Sequence, residues 1–416
     1  MCHRHGINDP GIQKFRRLAT MTEIFDTLAA TAASQGSQAM LETLAASLRE
    51  RHRWHSLFDL RLLQARVALG LPPTGDVGLL DEATRDRLDQ ASLAACREVG
   101  WPLLDEGHVA ASWMYLRAAA EPADVSLRLA TLASALPEDD EAAAARLQEI
   151  VHVALWESVD PAIGIRLVIE SQGTCNSITA YEQAVVRLPA ARQETAATVL
   201  VDHLYQEVFT ALATDLERRG LASADQIAAA QSIVALLEAA GGLKNDPSFH
   251  VDVSHLQSVL RFARVCSERA VLEKAWELAV YACRLPEEVT YPGEPPFENV
   301  GEASRLFYAA LLGRDAEEAL AFFRRAAAPD QVQPGDTLPA DTLTYLLWKL
   351  DRPAEAVQAA VARPSDSSMP SMFQAAGMLP SLVELAITGD AVDALRDACR
   401  ERGDEITFAA SYLTLN

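Results

Sequence analysis

A short segment that recurs three times near the carboxyl terminus constrains the fold of this chain more than any other feature. It reads Leu-Gly-Arg-Asp-Ala-Glu-Glu-Ala-Leu at 312–320, Leu-Asp-Arg-Pro-Ala-Glu-Ala-Val at 350–357 and Thr-Gly-Asp-Ala-Val-Asp-Ala-Leu at 388–395. The alanines that align in the three copies, Ala319, Ala356 and Ala394, are 37 and 38 residues apart. Stacked helix pairs produce spacings of this length. The recurrence predicts antiparallel helix pairs over residues 301–416, with these alanines buried where helices meet.

The first copy resembles the helix junction of the tetratricopeptide repeat, which commonly reads Leu-Gly-Arg-Tyr-Glu-Glu-Ala-Leu. The resemblance is clearest over about residues 300–410 and extends weakly to 101–119 and 255–284. The chain departs from that family in its longer period and in an extra residue at the first turn. The resemblance implies a tetratricopeptide-like α-solenoid whose concave groove binds a peptide or a partner protein.

The rest of the chain also shows apolar residues at helical spacing, which predicts an all-α fold. The most strand-like stretch is the β-branched run Ile163 to Ile169, which lies among helix formers and is predicted to be helical. We divide the chain into a disordered leader (1–20), N-terminal helical repeats (21–160), a central helical region with polar site candidates (161–285) and the C-terminal repeats (301–416). The Pro-rich segment 286–300 is a candidate domain boundary or functional loop.

Composition narrows the possible partners. The formal net charge is -22, whereas a phosphate-binding face needs clustered Lys and Arg, so the sequence predicts no nucleic-acid partner. No apolar run is long enough for a membrane span. The six cysteines are widely spaced and form no CxxC pair, which favours a reducing, cytoplasmic environment. The abundance of Ala and Arg, with little Lys, is typical of a GC-rich bacterial genome.

The segment from Asp246 to Arg264 holds the densest run of chemically capable side chains. His250, Asp252 and His255 lie within six residues, and His203 and Glu207 share a helical face at positions i and i+4. Imidazoles and carboxylates together form the ligand set of many Zn, Fe or Mn sites, so these five residues are candidate ligands of one divalent metal. The alternative is ordinary loop and cap chemistry. The pattern Ser254-x-x-Gln257 predicts a capping box with a helix that begins at Ser254.

A second group of polar residues could bind a substrate. A polar island between apolar helices contains Asn176, Tyr181 and Glu182, and Tyr205 follows on a later helix. Arg261 and Arg264 follow His255 in the same predicted helix and would supply positive charge for a small anionic substrate.

Two functions follow from these observations. The first is a helical-repeat protein that binds a peptide or partner protein in its groove. The alternative is a metal-dependent enzyme in the central region, acting on a small anionic substrate. The chain has no GxGxxG before a helix, no GxxxxGK[ST], no HExxH and no GxSxG, so nucleotide binding and the common hydrolase folds lack their usual motifs.

Overall fold

A computed structural model describes residues 10–76, 78–137, 140–243, 246, 248–328, 330–332, 335–363, 373 and 377–413, with side chains from residue 23 onward. In these residues the chain forms twenty α-helices and no β-strand, which confirms the all-α prediction. The run Ile163 to Ile169 lies inside a long helix, as predicted. No helix in the described ranges is long and apolar enough to cross a membrane.

The helices fall into two compact units, Met1–Val153 and Ala154–Asn416. The first unit contains α1 (Pro10–Gln35), α2 (Ser37–Glu50), α3 (Trp54–Ala68), α4 (Glu82–Asp105), α5 (Val109–Leu116), α6 (Pro122–Ser134) and α7 (Glu141–Val151). The boundary between the units falls within a π-helical turn, His152–Trp156. The second contains α8 (Pro161–Ala184), α9 (Ala190–Arg219), α10 (Ala224–Ala229), α11 (Ile233–Ala239), α12 (Val253–Phe262), α13 (Arg269–Cys283), α14 (Val300–Leu311), α15 (Ala316–Ala326), α16 (Leu338–Lys349), α17 (Pro353–Val361), α18 (Leu382–Thr388), α19 (Val392–Arg402) and α20 (Glu405–Ala410).

The two compact units differ from the four divisions predicted from the sequence. The first helix begins at Pro10, so the predicted leader overlaps its backbone over residues 10–20, and residues 1–9 lie outside the described part. The predicted central region and C-terminal repeats belong to one compact unit. The Pro-rich segment 286–300 lies inside that unit and does not separate the two units.

The first unit is built around α2, α3 and α4. Ala45, Leu57 and Val99, one from each helix, are fully buried against one another. A buried hydroxyl also ties α5 to α4, because Ser112 Oγ donates to the carbonyl of Gly100 at 2.9 Å. Gly100 is required there, since a Cβ at this position would lie 2.5 Å from Leu116 Cδ2.

In the second unit, helices contact their neighbours in chain order from α13 to α17. Helix α12 also contacts α14, and α14 contacts α16, so alternate helices of this stretch lie side by side. Aromatic rings fill the space between them. Tyr308 donates a hydrogen bond from α14 to the carbonyl of Leu260 in α12, and Phe307 stacks on Tyr345 of α16 with 6.2 Å between ring centroids. This packing places α12, α13 and α14 around the candidate site described below.

Several helix pairs are joined by the same tight turn. Gly313, Asp351 and Asp390 all have positive φ, at 78°, 57° and 50°. In each case the next residue donates its N–H to a carbonyl five residues earlier, for example Arg352 to Leu347 at 2.9 Å. This is the hydrogen bond of a Schellman motif, which ends a helix with one left-handed residue. Similar turns occur in the first unit at His52 and Gly107.

The turns correct the predicted alignment of the third copy of the recurring segment, at 388–395. Ala319 and Ala356 are fully buried, as predicted, but the prediction for Ala394 is wrong because this residue is exposed. In the alignment predicted from the sequence, Gly389 corresponds to Gly313. The left-handed residue of the third turn is instead Asp390. The register moves by one residue, and Leu395 takes the buried position instead. Gly389 serves another purpose, since a Cβ there would lie 2.7 Å from the backbone nitrogen of Ala354.

Candidate functional site

Two of the predicted metal ligands lie together on α9. His203 Nε2 and Glu207 Oε2 are 3.7 Å apart, as the i, i+4 spacing predicts. Thr174 of α8 joins them, with its hydroxyl 2.9 Å from His203 Nε2 and 3.4 Å from Glu207 Oε2. The three polar groups are partly exposed, so they form a small hydrogen-bonded group on the surface between α8 and α9.

The third predicted ligand, His250, lies in a buried polar cluster. Its side chain is only 6 % exposed. The imidazole Nε2 is 3.1 Å from Asp215 Oδ2, and Nδ1 is 2.9 Å from the hydroxyl of Tyr281 and 3.0 Å from Arg284 Nη2. Arg284 also donates to the carbonyl of Ser248 at 2.7 Å. We call Asp215, Ser248, His250, Tyr281 and Arg284 the His250 cluster.

The partners of His250 define its tautomer. A guanidinium can only donate hydrogen bonds, so Nδ1 beside Arg284 acts as an acceptor and the proton lies on Nε2, facing Asp215. Burial lowers the pKa of His250, with the positive charge of Arg284 acting in the same direction, against the opposing effect of Asp215. Burial alone would raise the pKa of Asp215, but hydrogen bonds from His250, Arg219 and Arg218 outweigh it and the pKa is lowered. The cluster therefore holds a neutral imidazole between a carboxylate and a guanidinium.

The remaining two predicted ligands belong to the start of α12. Asp252 is the N-cap, since its Oδ1 accepts from the backbone nitrogen of Ser254 at 2.8 Å and from its hydroxyl at 2.6 Å. The predicted capping box is therefore wrong, because the helix begins at Val253 and the cap is Asp252. His255 lies in the first turn and is half-buried.

The five predicted ligands thus have different partners. His203 and Glu207 contact each other, His250 binds Asp215 and Tyr281, and Asp252 caps a helix. Among the described residues, no three His, Cys, Asp or Glu side chains are placed to hold a metal ion. A metal at His250 would have to displace a partner from one of its two nitrogens.

The two tyrosines predicted to bind a substrate, Tyr181 and Tyr205, have their hydrogen-bond partners within the protein. Tyr181 is buried, stacks on Phe262 with 4.2 Å between ring centroids, and donates to the carbonyl of Gln193 at 3.3 Å. Tyr205 donates to Glu277 Oε2 at 2.8 Å. Burial raises the pKa of both hydroxyls, and Glu277 raises that of Tyr205 further. Both hydroxyls are therefore neutral hydrogen-bond donors within the protein.

The other predicted substrate-binding residues lie nearer the surface. Asn176 is exposed and its side chain donates to the carbonyl of Gln172 at 2.9 Å. Glu182 and Arg261 form an ion pair between α8 and α12. Ion pairs as exposed as this one contribute little to stability.

Arg264 differs from Arg261 in having an aromatic ring and no carboxylate as its partner among the described residues. Its guanidinium carbon lies 3.4 Å from the centroid of the Phe297 ring, and no acid pairs with it in the described part of the chain. Burial lowers the pKa of Arg264 to about 10, so the guanidinium is charged at neutral pH. Phe297 belongs to the Pro-rich segment, and Arg264 therefore fixes that segment against the end of α12.

A cleft of about 340 Å³, with both polar and apolar lining residues, is bounded by α12, the end of α13, the Pro-rich segment and the start of α14. Its volume lies at the lower end of the range for ligand pockets. We call it the α12–α14 cleft. Its lining residues include Val253, Leu256, Gln257, Cys283, Leu285, Glu287, Tyr291, Glu298, Val300, Glu302 and Arg305.

The walls of the α12–α14 cleft are held by specific contacts. Gln257 Nε2 donates to the carbonyl of Tyr291 at 2.6 Å, which ties the Pro-rich segment to α12. Gly301 allows α14 to approach α13, because a Cβ at this position would lie 3.1 Å from the carbonyl carbon of Ala282. Cys283 lines the cleft with part of its surface exposed, and its partial burial raises the pKa of the thiol.

The sequence pointed only to the neighbourhood of these features. Asp215, Tyr281 and Arg284 were not predicted, because they lie 31 to 35 residues from His250 and no local pattern links them. The residues of the α12–α14 cleft were not named either. The composition of segment 286–300 was the available signal, since a long Pro-rich loop inside a helical chain is unusual.

The fold and these features define an all-helical protein with tight helix-pair turns and a cleft beside a Pro-rich segment. Comparison with protein-family models, with curated proteins and with solved structures found no match to this chain.

Proposed function

We propose that this chain is a helical-repeat protein that binds a segment of a partner protein in the α12–α14 cleft. The observation that carries the proposal is the cleft itself, which has an apolar floor and polar walls and opens between helices of successive pairs. Leu256 is fully buried at its base, with Val253 and Leu285 only 7 % exposed. An apolar base with a few directional polar groups is the usual composition of a binding pocket.

The arrangement of the helices supports the same proposal. Helices α12, α14 and α16 contact one another in series, and turns of one type join α14 to α15, α16 to α17 and α18 to α19. Regular turns and serial contacts are expected for a tetratricopeptide-like solenoid, and such solenoids present grooves to peptides. The resemblance of the turn sequences to that family adds to this support.

Chemical protection of a cysteine tests the proposal. Peptides selected from a random dodecamer library on the full-length protein should slow alkylation of Cys283, which lines the cleft, but not of Cys175, which is exposed on α8. The reaction needs alkaline pH because the pKa of Cys283 is raised.

A matched pair of variants locates the binding. Gln257→Trp places a large ring in the cleft and should abolish both binding and protection. Gln183→Trp places the same ring on the exposed surface of α8 and should leave both unchanged. Selected peptides that bind Gln257→Trp as tightly as wild type, or that leave Cys283 fully reactive, would remove the cleft as the binding site.

The metal-dependent enzyme remains the alternative proposal. The observation that favours it is the pair His203 and Glu207, whose side chains are adjacent and partly exposed. His250 and Asp252 give it less support, since their polar atoms already have protein partners. Stoichiometric metal in the purified protein that is lost in His203→Ala would favour the enzyme.

A further inference from the structure

The side chains around the α12–α14 cleft indicate what kind of segment it binds. Three of its lining residues are glutamates, Glu287, Glu298 and Glu302, and its single basic lining residue is Arg305. Arg305 Nη2 lies 3.8 Å from Glu318 Oε1, so its charge is partly balanced by a carboxylate that does not line the cleft. Among the described residues none of the three glutamates forms an ion pair with a basic side chain. The cleft therefore carries an excess of negative charge.

An aromatic ring lies at the edge of the same cleft. Tyr291 is 63 % exposed although its backbone is held by Gln257. An exposed ring of this kind attracts a cation to its face, and a guanidinium is the side-chain cation that stacks most often. The ring and the carboxylates favour the same sign of charge, and they do so independently.

The apolar floor of the cleft favours a long side chain in the bound peptide. Val253, Leu285 and Val300 are apolar lining residues that each keep 7 % or 8 % of their surface exposed, and a small hydrated cation would gain nothing from contact with that surface. Long basic side chains place an apolar stem on such a surface and keep the charged head among polar groups. This combination fits Arg or Lys and fits neither an acidic nor a purely apolar side chain.

We propose that the α12–α14 cleft binds a partner peptide through an Arg or Lys side chain, with the stem on the floor, the cation near Glu298 and Glu302, and Tyr291 beside it. The proposal rests on the function proposed above and specifies the chemistry of the partner. The acidic balance of the chain, with a net charge of -22, would increase the rate at which a basic segment meets it.

Defined peptide pools test this inference on the full-length protein. The probes are acetylated, fluorescently labelled heptapeptides with random flanks and a central residue fixed as Arg, Lys, Leu or Glu. The Arg and Lys pools should bind most tightly, measured by anisotropy, and should protect Cys283 from alkylation. Binding should weaken as salt is raised, because the ion pairs are partly exposed.

Two double variants, one with carboxylates removed from the cleft lining and one with carboxylates removed elsewhere, provide a matched comparison. The double variant Glu298→Gln/Glu302→Gln should bind the Arg pool about fivefold to thirtyfold more weakly than the wild-type protein does, as expected for the loss of two partly exposed ion pairs. Glu217→Gln/Glu401→Gln changes the net charge equally at exposed positions away from the cleft lining and should have little effect. Both variants need the same helicity as the wild-type protein.

The outcomes separate the two proposals. If the Leu pool binds as tightly as the Arg pool and the Glu298→Gln/Glu302→Gln variant behaves as wild type, the basic partner is excluded and the peptide-binding cleft stands. If no pool binds or protects Cys283, both proposals fail. Preferential binding of the Glu pool would likewise overturn the inference, with the cleft retained.

Discussion

At the scale of single residues, the His250 cluster joins buried polar groups that are distant in the sequence. His250 has polar partners on both ring nitrogens, and its backbone nitrogen also donates to Tyr281 at 2.9 Å. Arg284, which is 4 % exposed, has two guanidinium nitrogens without a partner among the described residues. A second positive charge beside Arg284 would be costly, since the surroundings provide little solvent to screen it.

Protonation of His250 should therefore destabilise the protein. Its pKa in the folded protein is lowered, so the unfolded chain binds the proton more readily, and stability is lost as pH falls below about 6.5. We expect the free energy of unfolding in urea to fall between pH 7.5 and 5, by up to about 1.4 kcal/mol per pH unit from this group. The contribution of Asp215, whose pKa is also lowered, is lost only below about pH 4.

A substitution assigns this pH dependence to one residue. His250→Gln removes the titrating group but can still donate to Asp215, and it should flatten the slope between pH 7.5 and 5. His108→Gln, at an exposed position, should retain the slope of the wild-type protein. A wild-type free energy that does not change over this range would contradict the role given to His250.

At the scale of elements, the turns between helices decide which residues are buried. The left-handed residue of each turn sets the rotation of the next helix, so a shift of one residue turns a helix by about 100°. Ala356 and Leu395 occupy equivalent buried positions after Asp351 and Asp390, although the sequence alone aligned Ala356 with Ala394. The side chains at these two positions differ in volume, because one is Ala and the other Leu.

Leucine substitutions distinguish the two registers. Ala356→Leu adds three carbons at a fully buried position and should cost about 1–3 kcal/mol of unfolding free energy through overpacking. Ala394→Leu is the same change at an exposed position and should lie within about 0.5 kcal/mol of wild type. Chemical denaturation measures both: an Ala394→Leu as costly as Ala356→Leu would restore the alignment predicted from the sequence, and a neutral Ala356→Leu would contradict both registers.

At the scale of the whole molecule, charge is the dominant property. The chain has 58 acidic and 36 basic residues. Most of the ion pairs in the described residues are partly exposed, and pairs of this kind contribute little individually. Repulsion among the excess carboxylates should therefore outweigh local attraction at low ionic strength.

Salt should stabilise the protein for this reason. Raising NaCl from about 0.01 M to 0.1 M shortens the screening length from about 30 Å to about 10 Å, which weakens repulsion across the surface more than it weakens close pairs. We expect a higher melting temperature at the higher salt concentration, measured by circular dichroism. A melting temperature that falls on adding salt would mean that local ion pairs contribute more than the net charge costs.

The sequence alone determined the all-α class of fold and indicated the helix junctions that precede Ala319 and Ala356. Both depend on interactions within a few residues, and such interactions leave a regular pattern of apolar residues and of Gly or Asp at the turns. The same local physics placed His203 beside Glu207 and buried Ala319 and Ala356. The dense polar segment around His250 contains a buried polar cluster, but the five predicted ligands have separate partners.

Only the tertiary structure decided which distant residues meet. Asp215 on α9 and Tyr281 on α13 surround His250 because three helices pack together, and their sequence separation leaves no periodic signal. The register of the third copy of the recurring segment also depended on packing, since Gly389 allows the close approach to Ala354 while Asp390 adopts the left-handed conformation. The α12–α14 cleft exists because the Pro-rich segment returns to α12 through Gln257, a contact that spans 34 residues and has no local cause.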